Sequence, residues 1–208
     1  MRILISLATA IVILAVALLL LLTPMWTHFA LAAADSVSPT GSGQAAVDMS
    51  DRTVGALVTL STFDFDAANG APMYAADEQA HMRDVQVVFY GFMVLAVASL
   101  AFVLAAVARA PRDASRWRAL GRGGAWLVVF VVVLGVFAAT AFETVFTLFH
   151  EIFFPGGNWS FPLTSNLIRL YPEPFWELSS AALGALAICG SVAVWFLARR
   201  RAAALETA

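Results

Sequence analysis

AWLVVFVVVLGVFAATAFETVFTLF, residues 125–149, is a run of 25 positions with a single charge, Glu143. A helix rises about 1.5 Å per residue, so about 20 apolar residues cross the roughly 30 Å hydrocarbon core of a bilayer. Helix is the expected form, because lipid offers no partners for open backbone N–H and C=O groups. Residues 3–22, 85–107 and 175–198 satisfy the same length and polarity condition. Bulk composition agrees: of 208 residues, 61% are hydrophobic and 12% charged, and the mean hydropathy is +0.84. A soluble domain is about 45–50% apolar and about 25% charged. The expected fold is therefore an all-α membrane protein, a four-transmembrane-helix bundle forming one integral membrane domain over 1–208. Pro24 closes the first span, Pro111 lies just past the second, and Pro174 fits the first turn of the fourth.

Orientation follows from arginine, which supplies all twelve basic residues. Arg2 precedes the first span, the connection 108–124 carries Arg109, Arg112, Arg116, Arg118 and Arg122, and the tail carries Arg199, Arg200 and Arg201. These nine mark the cytoplasmic side, so both termini are expected there, in a bacterial cytoplasmic membrane. The connections 23–84 and 150–174 then face outward. The first has only Arg52 and Arg83 against eight acids. The first apolar run exceeds the roughly 7–15 residues of a signal-peptide core. Pro24, Trp26, His28 and Phe29 separate it from the small residues 30–34. It is expected to stay as an uncleaved helix.

The two outer connections are expected to form a small extracytoplasmic cap. Residues 36–46 are rich in Ser, Gly and Pro and read as flexible. Beyond them, Asp48 or Ser50 is placed to cap a short helix with Val54, Leu57 and Val58 on one face. Val58-Thr59-Leu60-Ser61 alternates and fits a strand equally well, and Asn69-Gly70 reads as a turn. The connection 150–174 is rich in aromatics and proline, including Phe153, Phe154, Trp159, Phe161 and Tyr171, and suits the membrane interface.

All three histidines, His28, His81 and His150, fall at this outer boundary. Glu78, His81 and Asp84 step along one side of a helix at three-residue spacing. A carboxylate beside an imidazole fixes its tautomer and stabilises the imidazolium, as a general base requires. The plainer reading is a helix start that favours acids for its dipole. His150 adjoins Glu151, and Glu143, seven residues earlier, shares its face. A carboxylate inside an apolar span is costly and marks a functional position by default, with a polar contact between helices as the alternative. Phe142, Phe146, Phe149 and Phe153 form a neighbouring stripe that reads as packing. His28 has no acid close to it in the chain and reads as an interfacial residue. Arg169 is placed to steady a lipid phosphate or an oxyanion, or to remain a solvated loop residue.

Other chemistries find less support. A zinc site needs three or four converging ligands, and here His150-Glu151 lacks the second histidine of H-E-x-x-H, while Glu78-x-x-His81 occurs once. No metal or cofactor is expected. There is no G-x-S-x-G elbow, and Cys189 lies in the cytoplasmic half of its span, away from the histidines. Nothing suggests nucleic-acid binding. A transporter with Glu143 as proton site is weakened by the absence of broken helices. A non-catalytic sensor or interaction subunit with an outer cap is the alternative to an enzyme, but it leaves the histidine–carboxylate pairs unexplained.

Two stretches carry a family resemblance. Glu78-x-x-His81-Met82-x-Asp84-Val85 precedes the second span. Phe146-Thr147-Leu148-Phe149-His150-Glu151-Ile152-Phe153-Phe154 ends the third, followed by Asn158-Trp159-Ser160-Phe161 and by Leu167-Ile168-Arg169-Leu170-Tyr171-Pro172. This pattern resembles the bacterial four-span membrane proteins that include the lipoprotein intramolecular transacylase Lit. The resemblance implies an acyl transfer at the outer leaflet, from the diacylglyceryl group of a lipoprotein's N-terminal cysteine to that cysteine's own α-amine. It implies His81 and His150 as general acid and base, and a diacylated lipoprotein N-terminus and membrane lipid as partners. Glu78, Asp84, Glu143, Glu151, Asn158, Trp159 and Arg169 are the supporting candidates. Where that family usually has an aspartate after the tryptophan, this chain has Ser165-Asn166.

Overall fold

A computed structural model describes residues 1–207. Four helices are long and apolar enough to span a membrane: α1 (Arg2–Leu21), α4 (Ala76–Ala108), α5 (Ala114–Phe153) and α7 (Glu173–Glu206). Between α1 and α4 lie α2 (Pro24–Ala33), a hairpin of β1 (Val37–Ser38) and β2 (Gly41–Ser42), and α3 (Gln44–Thr59); α6 (Asn166–Leu170) precedes α7. α4, α5 and α7 are longer than their apolar cores. α4 begins nine residues before the expected start at 85, and α5 runs to Phe153, so His81 and His150 both sit on helix rather than in loops.

The chain forms two compact units. The first comprises Met1–Leu19, Gly91–Thr140 and Ala181–Ala208. Here α1, α5 and α7 pack through small residues. Gly123 lies so close to α1 that a Cβ would sit 2.3 Å from the Ser6 carbonyl oxygen, and at Gly124 one would sit 2.7 Å from that of Ser191. Ser6 donates its hydroxyl to the Ala119 carbonyl at 2.8 Å. In lipid there is no hydrophobic drive to bring helices together, so close backbone approach and such hydrogen bonds supply the association. Outside this seam Val94, Val97, Phe130, Val136 and Phe137 are exposed, a surface that hydrocarbon tolerates and water does not. Arg199 lies over the Trp195 ring and Arg200 over that of Phe196, while Arg118 pairs with Glu206.

The second unit comprises Leu20–Tyr90 and Ala141–Ser180. Its core joins residues of the connections 23–84 and 150–174, including Leu31, Met49, Phe63, Met73, Tyr74, Leu170 and Tyr171. Burying each such side chain contributes about 1.5–3 kcal/mol. The Tyr74 hydroxyl bonds Thr53 at 2.7 Å, and that of Tyr171 bonds Ser50 at 3.1 Å. Burial pushes the Tyr171 phenol up to about 12 and raises that of Tyr74 as well, so both remain neutral.

Three local expectations change. Residues 37–42 take up a short hairpin: Val37 pairs with Ser42, Ser38 pairs with Gly41, and the buried Ser38 hydroxyl donates to the Gly41 carbonyl at 3.0 Å. The helix predicted from Asp48 or Ser50 begins earlier, at Gln44, with Gly43 as its cap at φ 63°. The strand alternative for 58–61 is not adopted: α3 runs through Thr59 and ends on Leu60 in a left-handed conformation. The turn at Asn69-Gly70 is present, with Gly70 at φ 77° and its N–H donating to Ala67.

α5 is interrupted at Ala141 (φ −152°, ψ 54°), so the expectation that no span is broken does not hold for the third. Just before it, the Thr140 hydroxyl turns back onto the Val136 and Phe137 carbonyls at 3.1 and 3.2 Å, a bond that bends helices.

Gly123→Ala is expected to cost about 1–3 kcal/mol, the range for overpacking a tight contact. Gly135→Ala, where a Cβ meets nothing within 4 Å, is its control. Thermal unfolding in detergent should show a lowered midpoint for the first variant and none for the second.

Candidate active site

The site grows from the first turns of α4. Its opening turn carries Asp77 and Glu78, and the unpaired N–H groups of a helix start favour such acids. Glu78 is 3% exposed. One carboxylate oxygen accepts the Ala75 N–H at 2.6 Å, a capping-box bond. The other accepts the Ser165 hydroxyl at 2.5 Å and the Leu167 N–H at 2.9 Å. Ser165 caps α6, its oxygen accepting the Ile168 N–H at 3.3 Å. One buried carboxylate thus joins the starts of α4 and α6. Six residues on, the carboxylate of Asp84 accepts the Asn158 amide at 2.6 Å. Glu78 and Asp84 therefore hold the two ends of the segment 158–165, with His81 between them on α4.

That segment closes over two imidazoles. His81 and His150 are 6% and 9% exposed, with ring centroids 6.1 Å apart and planes at 28°. Phe154 and Phe161 pack edge-on against His81 at 5.0 and 5.6 Å. Phe146, Trp159 and Phe154 lie 4.1, 5.0 and 5.6 Å from the His150 ring. Gly157, at φ 74°, turns the chain between Phe154 and Trp159.

Hydrogen bonding sets one tautomer. His150 Nδ1 lies 2.8 Å from the Phe146 carbonyl. A carbonyl oxygen only accepts, so Nδ1 carries the proton and the neutral ring keeps its lone pair on Nε2. His81 Nδ1 is buried with no hydrogen-bond partner among the described residues. A buried polar atom left unmatched is unusual.

The remaining candidates separate. Trp159 touches His150, and Asn158 acts through Asp84. Glu151 and Arg169 are exposed and form no ion pair among the described residues. Glu143 is exposed and lines an open recess of about 280 Å³ with Thr144, Thr147 and Leu148. Neither Glu78 nor Asp84 hydrogen-bonds an imidazole. His28, which has no acid near it in the chain, meets Asp51 at 2.8 Å because α2 packs on α3. Phe154, Phe161 and Ser165 are site-shaping residues that spacing did not single out, although the aromatic richness of their segment was visible. A second hollow of about 360 Å³ is lined by Glu78, Phe161, Pro162, Ser165 and Asn166 among others, and shares the Phe161 wall with His81.

Fold and site together define a multi-pass membrane protein of four spans that encloses an imidazole pair among aromatic rings. The chain belongs to the family described as "Lipoprotein intramolecular transacylase Lit", which it matches over residues 3–176. Its fold is similar to that of the membrane integral lipoprotein intramolecular transacylase Lit from Bacillus cereus. The TM-score is 0.76 at 20% identity, covering 100% of this chain and 96% of that one. A histidine-to-arginine form of the same B. cereus protein aligns with a TM-score of 0.65 at 19% identity, over 99% and 92% of the two chains. An uncharacterised protein of Aquifex aeolicus (strain VF5) is 26% identical over 129 residues, 62% of this chain and 57% of that relative. The match thus spans little more than half of the A. aeolicus protein.

Glu78→Ala removes an acceptor from three donors, among them the buried Leu167 N–H, and is expected to cost at least the about 1.5–3 kcal/mol of one hydrogen bond to a charged group. Amide exchange should accelerate at Leu167 and through 158–165. Asp84→Ala should loosen only the Asn158 end. Equal protection of this segment in the wild type and Glu78→Ala would contradict the clamp.

Proposed function

We propose that this protein is a lipoprotein intramolecular transacylase acting at the outer leaflet, with its arginine-rich ends in the cytoplasm. The reaction moves an acyl chain from the diacylglyceryl group of a lipoprotein's N-terminal cysteine to that cysteine's α-amine. The observation that carries this reading is the enclosed pair His81–His150, brought together from two spans with one tautomer already fixed.

The α-amine has an ordinary pKa of about 8, so part of it is neutral at physiological pH and an imidazole can take the remaining proton. His150 Nε2, with its lone pair, is the base. The amine nitrogen attacks the ester carbonyl carbon, the C–O bond to the glyceryl oxygen breaks, and the proton taken from nitrogen returns to that oxygen. His81 serves as the donor to the carbonyl or leaving oxygen. Amine and ester belong to one molecule, so neither a nucleophilic side chain nor a second substrate is needed, and holding them together supplies much of the rate. Water would divert the ester to hydrolysis. The rings of Phe146, Phe154, Trp159 and Phe161 around the imidazoles favour transfer by excluding it.

The test is mass spectrometry of N-terminal lipopeptides from a host lacking such an enzyme, with and without this protein. One acyl chain should move from glycerol to the amine, and His150→Ala or His81→Ala should slow the transfer about 10²–10⁴-fold, the range of general acid–base catalysis. An unchanged lipopeptide profile with folded protein in the membrane would overturn the assignment.

A further inference from the structure

α5 carries a polar track that acid–base catalysis at the imidazoles does not use. Relative to Glu143, a helical step of 100° puts Thr147 at about +40° and His150 at about −20°, so the three share an arc of about 60°. The break at Ala141 lies before them, and the helix from Glu143 to His150 is continuous. The track climbs about 10 Å, from exposed Glu143 to buried His150. Phe142 and Phe146 occupy the flank beside it.

Glu143 is not an interhelical contact, because it is exposed. The chain has no lysine, and no arginine pairs with this carboxylate among the described residues. Thr9, Thr53, Thr59 and Thr140 all spend their hydroxyls on their own helix. Thr144 and Thr147 make no such bond among the described residues and face the recess of about 280 Å³ beside Glu143. An unpaired carboxylate with two free hydroxyls, at a span's lipid-exposed surface, is matched by a cation that brings several hydrogen-bond donors and arrives through the bilayer.

We infer that the Glu143–Thr147 recess binds a primary ammonium carried by an acylated molecule, and that under the proposed reaction this is the lipoprotein's α-ammonium. The inference rests on that reading for the identity of its ligand. A primary ammonium has three donors for Glu143 and the two threonines, whereas a quaternary choline has none. The same chemistry is present in the headgroup of phosphatidylethanolamine, which the test must separate.

The probe is a fluorescent dialkylglyceryl-cysteinyl peptide with ether links, which cannot transfer an acyl group, made with a free or an acetylated amine. Binding is measured to the full chain in phosphatidylcholine vesicles. The wild type should prefer the free amine about tenfold, the size of one charge-assisted contact. Glu143→Gln should abolish most of that preference and Thr147→Val should reduce it, with unfolding midpoints unchanged. An equal preference in the wild type and Glu143→Gln overturns the site. Phosphatidylethanolamine that displaces the free-amine probe from the wild type alone supports the site and extends it to lipid. Displacement from both proteins alike counts against it. Turnover of the ester-linked peptide, followed in parallel, separates the two claims. Amine selectivity without acyl transfer removes the transacylase reading and leaves the site; acyl transfer without selectivity at Glu143 does the reverse.

Discussion

The candidate site depends on one buried carboxylate. Glu78 accepts three hydrogen bonds, from Ala75, Ser165 and Leu167, and so fixes the start of α6 against the start of α4. Helix starts leave N–H groups without intrahelical partners, and when buried these must be matched or cost heavily. Glu78 meets that demand at two helix starts at once. The segment 158–165 is thereby held where Trp159 and Phe161 reach the imidazoles. The Asp84–Asn158 bond secures its other end at an exposed position.

This explains why the carboxylates spaced around His81 do not orient it. Three-residue spacing brings Glu78, His81 and Asp84 to one side of α4, and a carboxylate–imidazole pair is sterically available. At Glu78 the Ser165 hydroxyl and the buried Leu167 N–H take one carboxylate oxygen, and at Asp84 the Asn158 side-chain amide takes another, so distant donors engage these groups instead of the imidazole. His150 is oriented by its own helix instead, through the Phe146 carbonyl four residues back. Neither imidazole is therefore hydrogen-bonded to a carboxylate, and aromatic rings pack around the pair.

The two units solve different solvent problems. In the first, Gly123, Gly124 and Ser6 let backbones approach closely, which is how helices gain contact when hydrocarbon surrounds them. In the second, large side chains such as Phe63, Met73 and Leu170 are fully buried, as in a water-soluble core. Its tyrosine hydroxyls are matched by Thr53 and Ser50.

The chain's apolar runs determined the four spans, because the thickness of the bilayer and the need to satisfy backbone polar groups leave few alternatives. Its local spacing likewise put Glu143 and His150 on one face of α5, since helical geometry is set within a few residues. Partnerships across long separations were not legible. Glu78 with Ser165 is 87 residues apart and Asn158 with Asp84 is 74. His28 with Asp51 and the enclosure of His81 by Phe154 and Phe161 are of the same kind. Each is decided by which distant groups packing brings into reach. A carboxylate or ring has several suitors of similar chemistry along the chain, and only the folded arrangement selects among them.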